Sequence, residues 1–96
     1  MYKLHQQIKA RKDLEEIWLY SFKEHGEQQA DKYYDELIAG MDIIQENPHI
    51  GVACSYIRSG YRQYQINQHI VFYRLSTDKV HIIRVLHESM DVKRHT

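Results

Sequence analysis

At 96 residues the chain has room for one domain, 1–96, with a single core, and a domain of this size buries only about 60–65% of the surface its unfolded chain exposes. One cysteine leaves no internal disulfide, which fits a reducing compartment. Met1–Gln7 carries no apolar segment and the longest apolar run is Ile70–Tyr73, so the expectation is a soluble, cytoplasmic protein without signal peptide or membrane span. Net charge is zero but uneven: residues 1–51 hold six Lys/Arg against ten Asp/Glu, residues 52–96 seven against three, and a basic half can face an anionic partner.

Alternation of Tyr2, Leu4 and Ile8 predicts a short strand over 2–8. Ala10, Leu14, Ile17, Trp18 and Phe22 recur at helical spacing and predict an amphipathic helix with one inward stripe. Asp13 is read as a negative charge near its N-terminus, and Gly26 as its stop. A second helix follows, its inward face marked by Ala30, Tyr34, Leu37, Ile38, Met41 and Ile44 or Gln45. Gly40 inside it is read as tolerated at about 1 kcal/mol relative to alanine. Asn47-Pro48 ends it, because the residue before proline is pushed out of the α region. The short link between the helices predicts an antiparallel hairpin.

From residue 56 the period becomes two. Tyr56–Arg58 reads as a short extended piece, Ser59-Gly60 as a turn, and Arg62, Tyr64 and Ile66 as one face of a strand. Asn67-Gln68 turns the chain into His69–Leu75, a dense run of β-formers read as a central strand. Residues 76–79 turn again, Val80–His87 is the last strand, and 88–96 is expected to be a flexible tail. The fold class is α+β: an N-terminal strand, then a two-helix hairpin packed on a small antiparallel sheet of three to four strands.

No metal-ligand spacing occurs among the seven histidines, and no phosphate-binding or nucleophile motif is present, so no metal, cofactor or catalytic residue is assigned. Cys54, in a loop after the hairpin, reads as a tolerated free thiol. The constellation with chemistry in it is basic: Arg58, Arg62, Arg74, Arg84 and His87. Arginines projecting from a sheet can hold phosphates bidentately, but cleavage of RNA also needs an acid and a base. Here that set is thin, because His87 and Glu88 alternate to opposite faces of a strand. The plain alternative is that these arginines solubilise the sheet and pair with the acidic helices.

The pattern resembles the ParE toxins of the RelE/ParE superfamily. The matching residues are Ala10, Asp13, Leu14 and Ile17, then Gly26, Ala30, Tyr33, Tyr34 and Leu37. Asn47-Pro48, Gly51 and Arg58-Ser59-Gly60-Tyr61-Arg62 follow. The densest part is His69 to Arg74, Ile83 to His87, and Met90-Asp91. The resemblance implies the toxin of a type II toxin–antitoxin module, acting on DNA gyrase without enzymatic chemistry and neutralised by a ParD-like antitoxin. It implies no sequence-specific nucleic-acid binding by the toxin alone. The alternatives it leaves are a ribosome-dependent mRNA endonuclease of the RelE type and a binding module that has lost toxicity. Arg58, Arg62, Arg84, His87, Met90 and Asp91 are the candidate target contacts. Trp18, Tyr20 and Tyr33 are the candidate antitoxin contacts, since aromatic side chains dominate interfaces. Trp18 also fits the core stripe, and Tyr33 lies off the predicted inward face.

Overall fold

The computed structural model describes residues 1–95. Strand β1 (Lys3–Gln6) leads into helices α1 (Ile8–His25) and α2 (Glu27–Glu46), followed by strands β2 (Val52–Ala53), β3 (Tyr61–Ile66), β4 (His69–Leu75) and β5 (Lys79–His87), and a helical turn α3 (Val92–His95). The strands form one sheet in the order β1-β5-β4-β3-β2. β4 is the middle strand, as the density of its β-formers predicts. The sheet has five strands and is mixed rather than purely antiparallel. β1 runs parallel to β5, with Lys3 beside Lys79 and Gln6 beside Ile82, while the other pairs are antiparallel. The second strand lies at Val52–Ala53, not at 56–58, where the chain turns.

The helix hairpin turns at Gly26, whose φ of 89° favours glycine. One apolar layer lies between hairpin and sheet: Ala10 and Leu14 of α1, Leu37, Met41 and Ile44 of α2, and Val71, Tyr73, Val80, Ile82 and Val85 from the strands. Full burial of a side chain such as Leu37 contributes about 2 kcal/mol. The inward face of α1 differs from its predicted stripe. Ser21 is buried, while Phe22 is exposed and stacks on Trp18 with ring centroids 5.2 Å apart. Trp18 is half-buried and lies outside the core; its indole N–H donates to Asp31 Oδ1 at 2.9 Å, tying α1 to α2. On α2 the inward tyrosine is Tyr33, and Tyr34 is exposed.

Gly40 is a position of close approach. A Cβ there would lie 2.1 Å from Ile66 Cδ1, so the missing side chain lets β3 approach α2. Cys54 is fully buried with Phe72 and Leu86 in a second, smaller cluster on the outward face of the sheet, against which Val92 of α3 packs. Burial raises its thiol pKa. The C-terminal segment expected to be a flexible tail carries α3, and Asp91 caps it by accepting the Lys93 N–H at 3.1 Å. Among the described residues no helix is long and apolar enough to cross a membrane.

Candidate functional site

β1 covers the edge of β5 only from Lys79 to Ile82. Gln7 N–H then bonds to the Ile82 carbonyl, and the chain leaves the sheet to start α1. The rest of β5 therefore has an open edge, and an open edge must satisfy its polar groups some other way. Asp13 does this. Its carboxylate accepts the Val85 backbone N–H at 3.0 Å and both Nε and Nη2 of Arg84 at 2.8 Å. Asp13 is buried in the second turn of α1, so its role is to close a sheet edge rather than to offset a helix dipole. The carboxylate also raises the Arg84 pKa, chiefly through the hydrogen bond. A third Arg84 bond, from Nη1, reaches the His95 carbonyl of α3.

A bulge sets what faces the helices beyond this point. Phe72 pairs with Arg84 but Tyr73 pairs with Ile82, leaving Ile83 as an extra residue in β5. The side-chain alternation resets there, so Val85 joins Val80 and Ile82 in the helix-side core. His87, two residues on, then lies on the helix side, across from its strand partner His69 with ring centroids 5.3 Å apart. Tyr33 reaches down from α2, its hydroxyl 2.6 Å from His69 Nδ1. Burial raises the Tyr33 pKa, against a backbone hydrogen bond from Gln68. Ser89 donates its backbone N–H to His87 Nδ1 at 3.1 Å. That nitrogen must therefore carry a lone pair, which puts the ring proton of neutral His87 on Nε2.

These residues line a groove of about 640 Å³ between the hairpin and the far ends of β4 and β5, with Ile17, Tyr20 and Met90 adding apolar surface. Of the predicted target contacts, Arg84, His87 and Met90 line it; of the predicted antitoxin contacts, Tyr20 and Tyr33 do. Arg84 is held by Asp13, so it shapes the groove wall. Asp91 caps α3. Arg58 and Arg62 lie at the opposite end of the sheet. Arg58 is exposed in the loop before β3, and Arg62 is half-buried with its Nη2 donating to the His49 carbonyl at 3.0 Å. Trp18 lies outside the groove. The sequence reading missed Asp13 and His69 as groove residues. The signal for Asp13 was available: it shares the inward face with Ala10, Leu14 and Ile17.

Burial, with the nearby His87, lowers the His69 pKa to about 4 from 6.5. His69 is thus neutral in the folded protein at neutral pH, while the unfolded chain binds a proton there near pH 6.5. Its contribution to stability is complete above about pH 6.5 and is lost as pH falls toward 4, by about 1–2 kcal/mol once solvent screening of a half-buried ring is allowed for. Urea unfolding at pH 7.5 and pH 4.5 should show this loss, and His69→Gln should flatten it. Chemically the groove sets His69 between Tyr33 and His87, with Glu16 and His25 also in its wall. His69 is a neutral donor or acceptor, the neighbouring guanidinium is paired with Asp13, and among the described residues no three His, Cys, Asp or Glu side chains group to hold a metal.

The model of the ParE toxin of type II toxin–antitoxin systems, parDE, matches residues 5–92. The chain belongs to that family. Toxin ParE1 of Caulobacter vibrioides is 43% identical over 87 residues, covering 91% of this chain and 90% of that protein. Two solved structures share the fold. A chain of the chromosomal ParDE system of P. aeruginosa superposes with a TM-score of 0.81 at 19% identity, over 91% of this chain and 96% of that one. YafQ of E. coli BL21(DE3) does so with a TM-score of 0.59 at 15% identity, over 93% and 96%. The RelE/ParE-like architecture expected from the sequence is thus the one observed, and the chain is a ParE toxin of a type II toxin–antitoxin system.

Proposed function

We propose that this ParE toxin inhibits DNA gyrase without catalysis, and that a ParD-like antitoxin neutralises it in the cytoplasm by filling the groove that the toxin uses on its target. The observation that carries the reading is convergence: Tyr20, Tyr33, His87 and Met90 line one groove, although the sequence divides them between target and antitoxin. One groove cannot hold two proteins, so antitoxin binding would exclude the target directly. The groove suits a folded-on-binding segment. It offers aromatic and thioether surface beside polar groups that can accept or donate. Absence of catalysis is supported by the site's electrostatics, since the nearest arginine is already bidentate to Asp13 and has little charge left to stabilise a transition state.

The test is a gyrase supercoiling assay with purified toxin. Micromolar toxin should block supercoiling, and Tyr20→Ala/Met90→Ala should relieve the block and growth arrest while also weakening antitoxin binding. Unchanged supercoiling with wild-type toxin would remove gyrase from the reading. One observation favours a second reading, cleavage of RNA: His69 and His87 stand ring to ring beneath Tyr33. That reading expects cut mRNA and arrested translation soon after induction, both abolished by His87→Gln.

A further inference from the structure

None of the strands β1 to β5 contains an aspartate or glutamate. The carboxylates of the first half of the chain sit on the helices, behind the sheet. On the outward face, cross-strand pairing sets four residues in a row: His5 of β1 beside His81 of β5, His81 beside Arg74 of β4, and Arg74 beside Tyr61 of β3. Three strand spacings make this row about 14 Å long. Lys3 and Lys79 pair in the same two strands, β1 and β5, two residues before His5 and His81. Beside the row is a cleft lined by residues from both of its ends, His5 and Tyr61, and by Lys9, Arg84 and His95, with no acidic residue in its wall. The cationic character registers locally. His81 titrates below the ordinary histidine value, pushed first by burial and then by Arg74, His5 and Lys79, against a weaker opposing effect of Asp78 in the β4–β5 turn.

We propose that this row, with Lys3, Lys79 and Lys9 around it, is a binding site for the phosphate backbone of duplex DNA, engaged without reading sequence. Guanidinium, ammonium and imidazole donors are the groups that phosphate oxygens take. Their linear spacing across the strands suits a run of successive phosphates. A single-stranded ligand would need a stacking platform; in the row Tyr61 is half-buried against its own cluster, and the His5 and His81 rings meet edge to face, centroids 6.0 Å apart. An acidic peptide would need apolar anchors among the charges, which the row does not offer. The acidic helices on the opposite side make the molecule a charge dipole, and this would orient the sheet toward a polyanion. The row lies on the outward face, and only Arg84 and His95 in the wall of its cleft also line the groove; the proposal does not depend on the gyrase reading.

The experiment uses the full chain and a fluorescent 20-base-pair duplex of arbitrary sequence, read by anisotropy at pH 7. Binding should be micromolar in 50 mM salt, and log K should fall with log salt at a slope of about −2 to −3, as expected for two or three phosphate contacts. Lys3→Gln/Arg74→Gln/Lys79→Gln should weaken it at least about tenfold. Lys12→Gln/Lys23→Gln/Lys32→Gln, which removes the same charge from the helix side, should leave it within about twofold. Equal losses in the two triple variants would overturn the site, as would absence of duplex binding in 50 mM salt. Tighter binding of a single strand, of inorganic phosphate or of polyglutamate, with the same sensitivity to the sheet variant, would overturn the assignment to duplex DNA.

Discussion

Replacing Asp13 with alanine is expected to lower the unfolding free energy by about 3–4 kcal/mol, because the substitution strands a guanidinium and a backbone amide at once. The side chains of Arg84 and Asp13 are only 15% and 10% exposed, so water recovers little of what the carboxylate supplies. In a domain of this size the melting temperature should fall by on the order of 15 °C. The pair itself is replaceable. Asp13→Leu/Arg84→Met removes both charges and fills the same space, so it should cost clearly less than Asp13→Ala, by about 1–2 kcal/mol. It should not reach wild type, because the Val85 N–H stays unpaired. Urea unfolding of the wild type, the single variants and the double variant gives the coupling directly. A cost below about 1 kcal/mol for Asp13→Ala would mean that water, not Asp13, closes the edge of β5.

The same carboxylate marks where the sequence stops being legible. Periodicities of 3.6 and 2 locate both long helices and the last three strands, and Gly26 and Asn47-Pro48 punctuate them. Those signals are local. The rotation of α1 is not, because hydrophobicity alone turns Trp18 and Phe22 inward. Close packing of α1 on the sheet instead selects the small Ser21, and the two rings stack on the outside of the hairpin. The same competition exchanges Tyr33 and Tyr34 on α2. β1 shows an alternating pattern but carries no mark of its partner, which lies more than 70 residues away and runs parallel to it.

The groove was hidden by a single residue. A strict period of two from Val80 to His87 sets Val85 and His87 on the face opposite Val80 and Ile82. Extra Ile83 reverses that parity and brings His87 onto the helix side with His69 and Tyr33. A bulge has no reliable sequence signature in a run of β-formers, so neither the histidine pair nor its tyrosine was readable. The cationic row on the outward face was half legible: the excess of Lys and Arg after residue 51 is plain, but the alignment of His5 with His81 and Arg74 needs the register.

At the other end of the sheet, Gly51→Ala is expected to cost about 3–4 kcal/mol, through overpacking and the hydrogen bonds it breaks. An added Cβ would lie 2.5 Å from the Tyr73 hydroxyl, 2.7 Å from its ring and 2.8 Å from the Gln63 carbonyl oxygen. Neither neighbour can yield. Gln63 is backbone in a paired strand, and Tyr73 is fully buried. The tyrosine is also fixed at its tip, donating to the Pro48 carbonyl at 2.8 Å and accepting the Gly51 N–H at 2.9 Å. Those two bonds hold the loop from α2 to β2 against the core. Tyr73→Phe removes both without any clash and should cost about 2–3 kcal/mol, the penalty for two buried backbone groups left unpaired. In the double variant the hydrogen bonds are lost only once, so its cost should fall short of the sum of the singles by about 1–2 kcal/mol. Full additivity in urea unfolding would show that the glycine and the tyrosine hold the loop independently. The consequence extends to Arg62, whose guanidinium is held by the His49 carbonyl of this loop. Loosening the loop should release that arginine to solvent, so its side-chain N–H protons should exchange with water faster in Tyr73→Phe than in the wild type.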